Sequence, residues 1–550
     1  MKNLHILFFM EKNMKYELNA EQKKAVESND SAILCLAGAG TGKTRTLIER
    51  IVRLVNSGVD PKSILALTFT NAAAFEMRSR YCEYIPTGEA PEFRTFHSYC
   101  YDLMSNDKAI CKSLGYSSMP KIADEKKEKR IESEAIMQSG VKLTQKKLAD
   151  PSKLTMSEKR DLEILNKCKD RIMRKENLIT FDALCYNICQ LFIKNDPLVK
   201  KYRDNLKYLC VDEYQDTDTI QHDFVMSFKS TAKIFLVADV LQSLYRFRGA
   251  VPEITKSLAM SSDWTVIKLT ENYRSTVDIC DYANKFSSLY ADDIYRVPIY
   301  SDRLGRPVEI RTYNYSKDSQ QHKDIYKRIA MECKMLSGSV AILSRTNAEC
   351  SEVRNELEEN GVAFTTSHKD IDARYLLPSV LDSKTAISWL ATFLPAEQYS
   401  EFIRIDTIQK ENGREYTEQL FMYHFGTNID IHTRYQSICT IRNIVHSDKP
   451  VYKKCDLILK EIGYPNMHVA TFEEMSMEDL LSRIVENIEE KSDQDSSVYV
   501  GTIHSVKGLE YDTVYVIGVD GYKFRLNTED NKNVYYVAIT RARDNLVIYS

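Results

Sequence analysis

Residues 34–47 read LCLAGAGTGKTRTL, and the reading of this stretch decides the fold. The apolar run Ala32 to Ala37 before it predicts a buried strand, and the pattern from Thr44 to Asn56 predicts a helix. Between them lie Gly38, Ala39, Gly40, Thr41 and Gly42, a loop whose backbone N–H groups can turn inward around phosphates. Lys43 can reach the β and γ phosphates of a nucleotide, and Thr44 can hold Mg²⁺. The ending G-K-T is that of the G-x-x-x-x-G-K-T pattern, with Ala37 at the position of its first glycine. Strand, glycine loop and helix in that order are the context the chemistry requires.

Working outward, Asn19 can cap a helix that carries Gln22, an amide able to pair with both the donor and acceptor edges of adenine. Ser63 to Thr70 reads as a buried strand ending in Thr68, Phe69, Thr70 and Asn71, and Phe93 to His97 repeats that pattern with Thr95 and His97. Such strand ends form the edge where α/β folds gather ligand contacts. Tyr208-Leu-Cys-Val-Asp212-Glu213 is the second strong motif. Asp212 can complete a Mg²⁺ shell opposite Thr44, and Glu213 can orient the attacking water. After the strand Ala232 to Asp239 comes Gln242, placed to sense a γ phosphate. Tyr245 and Phe247, beside Arg246 and Arg248, suit base stacking and phosphate holding.

The strand Trp264 to Leu269 leads into Glu271 to Ser275, read as the start of a helix, where Arg274 offers a cation to the triphosphate and Tyr273 a stacking face. Gly338 to Arg345 and Val362 to Thr366 read as strands of a second α/β domain. Further strands are expected at Ser497 to Thr502 and Thr513 to Ile517. A helix from Asn533 to Arg543 is expected to bury Val534, Val537 and Ala538 and to end with Arg541 near the edge, before a last strand at Leu546 to Tyr549. Residues 101 to about 200 and about 376 to 495 lack that alternation and read as mostly helical insertions.

At 550 residues the chain is long enough for three or four domains. A net charge of -3 argues against a passive nucleic-acid coat, though not against a local groove that grips DNA. The 13 cysteines are scattered without C-x-x-C pairs, which reads as reduced thiols of an intracellular, cytoplasmic protein, with neither a disulfide frame nor a zinc site. The apolar run Leu4 to Met10 is too short for a signal peptide, and no stretch approaches membrane-spanning length.

The ordered set AGAGTGKTRTL, LTFTNAAAFEMRSR, TFH, VDEYQDTD, QSLYRFRGA, LTENYRS, GTIHSVKGLEYDTV and VYYVAITRAR resembles the superfamily 1 helicases of the UvrD/Rep/PcrA type. The resemblance covers residues 16 to 100, 178 to 375 and 496 to 549. It implies two RecA-like parallel-sheet domains forming a nucleotide cleft, each with a mostly helical insertion. The first would comprise residues 1–100 and 195–269 with insertion 101–194, and the second 270–375 and 496–550 with insertion 376–495. The implied activity is ATP-dependent 3′-to-5′ translocation on single-stranded DNA and strand separation at single-strand/duplex junctions, with ATP and Mg²⁺. By the same resemblance Gln22 reads adenine and Tyr273 stacks on it, while Gln242, Arg274 and Arg541 sense the γ phosphate. Arg45 helps hold the nucleotide, and Glu510 contacts the ribose. Phe69, Thr95, His97, Tyr245, Phe247, Thr502 and His504 correspond to the DNA contacts.

Three departures stand out. Ala72 replaces a lysine, Ala238-Asp239-Val240-Leu241-Gln242 replaces G-D-D-D-Q, and Phe247 replaces a tryptophan. They leave the hydrolytic residues whole and alter the DNA side. A second reading follows, a DNA-stimulated ATPase subunit that senses DNA and controls a partner nuclease or a repair or phage-defence complex, with weak unwinding of its own.

Overall fold

A computed structural model describes residues 17–85, 89–123, 125–143, 154–246, 249–312, 319–366, 376–377, 379–391, 402, 404–406, 409, 416–426, 429–462, 469, 471, 475–493, 498–519 and 524–550. In chain order the first lobe holds strands β1 (Ala32–Ala37), β2 (Ile64–Thr68) and β3 (Glu92–Thr95), then a short pair, β4 (Lys121–Ile122) and β5 (Leu178–Ile179). It continues with β6 (Tyr208–Val211), β7 (Lys233–Ala238) and β8 (Thr265–Leu269). Six of these form one parallel sheet in the order β3-β2-β6-β7-β1-β8. The second lobe is a parallel sheet of β9 (Glu309–Arg311), β10 (Val340–Ser344), β11 (Val498–Thr502), β12 (Tyr511–Val516) and β13 (Ala542–Tyr549), in the order β11-β10-β12-β13-β9. The chain therefore has two parallel-sheet cores with flanking helices and helical insertions.

The alternation along β1 explains why its whole run is apolar. Ile33 and Cys35 face a core with Leu47, Ile48 and Ile51 of the helix Lys43–Asn56, while Leu34 and Leu36 face a second core with Phe96, Phe192 and Phe224. A strand covered on both faces has no polar side to spare. In the second lobe the helix Glu529–Ile539 is buried on every side from Asn533 to Ile539, because it packs both on its own sheet and toward Ala39, Leu241 and Leu244 of the first lobe. Part of the seam between the lobes is thus apolar.

Three local expectations are corrected. No helix begins at Glu271; the helix starts at Val277, because Asn272 spends its side chain on the backbone of its neighbours and of the glycine loop. Val362 to Thr366 forms no strand; Thr365 makes a single parallel bridge to Tyr499. The last helix ends at Ile539, so Arg541 lies past it and Arg543 belongs to β13. Among the described residues no helix is long and apolar enough to cross a membrane.

Candidate nucleotide cleft and nucleic-acid edge

All strands of the first sheet run the same way, so the segments after β1, β2, β3, β6 and β7 emerge at one edge. After β1 the chain turns through Gly40 and Gly42, whose φ angles of 70° and 80° lie in the left-handed region. A Cβ on Gly40 would also stand 2.6 Å from Asn272 Nδ2, so glycine is required for conformation and for space. The turn aims the amino end of the helix Lys43–Asn56, with its unpaired N–H groups and positive dipole end, at the cleft.

Lys43 Nζ donates to Gly38 O at 3.3 Å and lies 3.7 Å from Asp239 Oδ2. Thr44 Oγ1 donates to Asp212 Oδ2 at 2.8 Å. These two oxygens, one neutral and one anionic, fit a hard divalent cation. Burial and the neighbouring Glu213 charge push Asp212 up to about 6. Glu213 is half-buried, and although desolvation works against its charge, Lys507 and Lys43 hold its carboxyl below the usual glutamate range. Its φ of 52° is left-handed, a strained backbone for a non-glycine residue, costing on the order of 1–3 kcal/mol. That conformation turns the chain sharply between the two carboxylates.

From across the cleft come the arginines. Arg541 is fully buried and donates to Val537 O at 3.0 Å, Leu509 O at 3.2 Å and, in the opposite lobe, Gln242 Oε1 at 3.1 Å. Gln242 in turn donates to Asp239 Oδ2 at 2.6 Å. Burial, then the nearby Arg274 charge, pulls Arg541 down to about 9, so it remains a cation at neutral pH. Arg274 donates to Glu510 Oε2 at 2.7 Å and to Thr540 O at 3.1 Å. Lys43, Gln242 and Asp239 thus meet Arg541 in one continuous polar seam, with Arg274 and Glu510 at its mouth.

Gln22 is the buried third residue of a capping box with Asn19, and its Nε2 donates to Thr41 O at 3.1 Å. Tyr273 is exposed; its hydroxyl accepts from Asn19 Nδ2 at 2.8 Å, and its N–H donates to Gly40 O at 3.0 Å. Gln22 and Tyr273 therefore flank the glycine loop together. Arg45 lies 3.8 Å from Glu49, one turn along the same helix.

The structure brings two of the aromatic candidates together. Phe69 and Tyr245 are parallel within 3°, centroids 6.1 Å apart, and Lys507 Nζ lies 5.0 Å from the Tyr245 centroid. Thr95 caps the helix Phe96–Asn106 and is buried, while His97 bonds Asp182 Oδ1 at 3.3 Å, which raises its pKa. Thr502 ends β11, and His504 follows, half-buried, on the turn Ile503–Val506. Thr95 and Thr502 each close an edge strand of their own sheet. Phe247 lies outside the described residues, as does the side chain of Ala72.

Sequence reading passed over three residues. Asn272 donates to Ala39 O at 2.6 Å and accepts from Arg274 N and Ser275 N, which fixes the direction of Arg274. Asp239 ties Lys43 to Gln242. Lys507, from the second lobe, pairs with Asp216 and lies 3.6 Å from Glu213. Burial works against its charge, but those two carboxylates hold the ammonium above the usual lysine range. Lys507 directly follows the turn Ile503–Val506, whose Ile503 and Val506 are buried. Removing it as Lys507→Met leaves Asp216 buried without its cation and should cost about 3–5 kcal/mol. Thermal unfolding checks this, and Lys507→Met with Asp216→Asn should recover most of the loss.

Two family models match the chain. The UvrD/REP helicase N-terminal domain covers residues 18–262, and the UvrD-like helicase C-terminal domain covers 267–371 and 435–550. A probable DNA helicase II homolog of Mycoplasma capricolum is 25% identical, spanning 96% of this chain and 84% of its own length. The ATP-dependent DNA helicase Rep of Buchnera aphidicola (from Acyrthosiphon pisum) is 26% identical over 96% of this chain and 94% of itself. The ATP-dependent DNA helicase PcrA of Staphylococcus epidermidis is 26% identical over 96% and 83%.

Proposed function

The chain belongs to the superfamily 1 helicases of the UvrD/Rep/PcrA type, and on that premise we propose that it is an ATP-driven 3′-to-5′ translocase on single-stranded DNA that separates duplexes. Membership carries ATP-dependent helicase activity in general terms; direction and strand separation are this proposal. The observation that carries it is the bond from Arg541 in the second lobe to Gln242 in the first, beside Lys43. A group placed on the γ phosphate there would touch both lobes at once.

In this reading Lys43 exchanges its Gly38 carbonyl for phosphate oxygens, and Thr44 and Asp212 hold Mg²⁺. The ion, when bound, offsets charge on the β and γ phosphates. Glu213, kept ionised by Lys507, orients the attacking water and takes its proton. Arg274 and Arg541 balance the charge that spreads over the equatorial oxygens during transfer. Gln22 and Tyr273 receive the base beside the loop, and Glu510 the ribose. Loss of the γ phosphate removes a link between lobes, so the cleft opens and the grip on a strand lying across both sheet edges shifts.

Hydrolysis with and without single-stranded DNA, followed by displacement from 3′-tailed and 5′-tailed duplexes, tests the proposal. DNA-stimulated turnover with displacement from the 3′ tail alone is expected. Displacement from the 5′ tail would overturn the polarity, and stimulation without displacement would favour a subunit that acts on a partner such as a nuclease. On the DNA side, Tyr245→Ala should weaken single-strand binding by ~1–3 kcal/mol, read by fluorescence anisotropy, if the ring stacks on a base. Unchanged affinity would return Tyr245 to a packing role against Phe69.

A further inference from the structure

Away from the cleft, three thiols converge inside the first lobe. Cys100 lies on the helix Phe96–Asn106 that follows β3, and Cys185 and Cys189 lie one turn apart on the helix Phe181–Ile193, which packs against it. Cys100 Sγ is 3.8 Å from Cys185 Sγ and 4.0 Å from Cys189 Sγ, and the latter two are 4.0 Å apart. All three are buried, and among the described residues these are the His, Cys, Asp or Glu side chains whose ligand atoms converge in a group of three. Spacing at i and i+4 puts Cys185 and Cys189 on one face, so two sulfurs from one helix and one from its neighbour close a triangle.

The size of that triangle is informative. Metal–sulfur bonds of about 2.3 Å place sulfurs about 3.8 Å apart at tetrahedral angles and about 4.0 Å apart at trigonal ones. The three sulfurs therefore stand at ligand spacing already. Sulfur donors select thiophilic ions and exclude the hard Mg²⁺ of the nucleotide site. We infer that Cys100, Cys185 and Cys189 form a structural site for one thiophilic cation, with Zn²⁺ the ion whose two charges best offset three buried thiolates. On binding, each thiol releases its proton to solvent, three in all, and the complex keeps one net negative charge. The surrounding Leu103, Leu184, Ile188 and Phe192 are buried and apolar, which suits a closed site that fastens the helix after β3 to the helix returning from the inserted segment.

The test uses the full chain, purified without a metal-affinity tag, exposed to Zn²⁺ and freed of loose metal. Elemental analysis is expected to find about one Zn²⁺ per chain, and Co²⁺ in its place should give an intense sulfur-to-metal absorption in the near ultraviolet. Cys111→Ala, a buried cysteine outside the triangle, should keep both signals, and Cys185→Ser should weaken metal affinity at least about tenfold. Because the variant can fail to fold, a mercurial titration of the wild-type protein supplies an independent reading: Zn²⁺ should leave as three thiols react. Retention of Cu⁺ rather than Zn²⁺ would support the thiolate site while changing its ion. A wild-type protein that takes up no Zn²⁺, Co²⁺ or Cu⁺, or a folded Cys185→Ser variant that binds as tightly as wild type, would overturn the inference.

Discussion

Lys43→Ala is expected to lower ATP turnover by roughly 10³-fold or more, because the charge that bridges the transferred phosphate disappears. The side chain is nearly buried, between the Gly38 carbonyl and Asp239. The loss of a cation beside Asp212, Glu213 and Asp239 works in the same direction, since less positive charge then offsets three carboxylates that face an anionic substrate. Lys43→Arg is expected to fall short of rescue, because a planar fork cannot occupy the volume of a point ammonium under the glycine loop. Steady-state hydrolysis with single-stranded DNA present is the measurement, with thermal unfolding as the control for folding. Turnover within tenfold of wild type in a folded Lys43→Ala protein would remove the glycine loop from the chemistry.

Arg541→Ala carries the second large effect, a fall of roughly 10³–10⁵ in the rate of hydrolysis if the guanidinium stabilises the transferring phosphate. A purely architectural role is a real competitor here, because Arg541 also holds the carbonyls of Val537 and Leu509. The two roles part in their readouts. Arg541→Lys keeps a cation in the seam but loses the fork, so it should unfold nearer the wild-type temperature than Arg541→Ala while remaining slow. If Arg541→Lys recovers rate and stability together, the residue acts through the packing of the second lobe. If nucleotide binding, followed with a fluorescent analogue, stays within about tenfold while turnover collapses, the charge acts on the transition state.

Much of this arrangement was legible from neighbours in sequence. The apolar run before Gly38 had to be buried on both faces, and it became β1 at the residues expected, because six consecutive apolar side chains in a strand can only be satisfied between two layers. Carboxylates directly after such runs, at Asp212 and Asp239, had to emerge at a sheet edge for the same reason. Glu271 to Ser275 has a composition that permits a helix; the Asn272 amide, bonded to the backbone of Ala39, holds the segment open instead. Val362 to Thr366 has strand composition but meets the edge strand β11 at one residue, through the bridge from Thr365 to Tyr499.

Sequence by itself determined the strands, the glycine loop and the order of the chemical groups, because backbone turns and alternating burial depend on residues a few positions apart. Tertiary structure alone decided that Lys507 would neutralise Asp216 and Glu213 across the cleft, that Arg541 would reach Gln242, and that scattered cysteines would share one point. Apart from the pair Cys185 and Cys189 on one helix, those contacts join residues 85 to 299 positions apart. Their distances are set by how two open sheets meet and how an insertion folds back, and no local period encodes either.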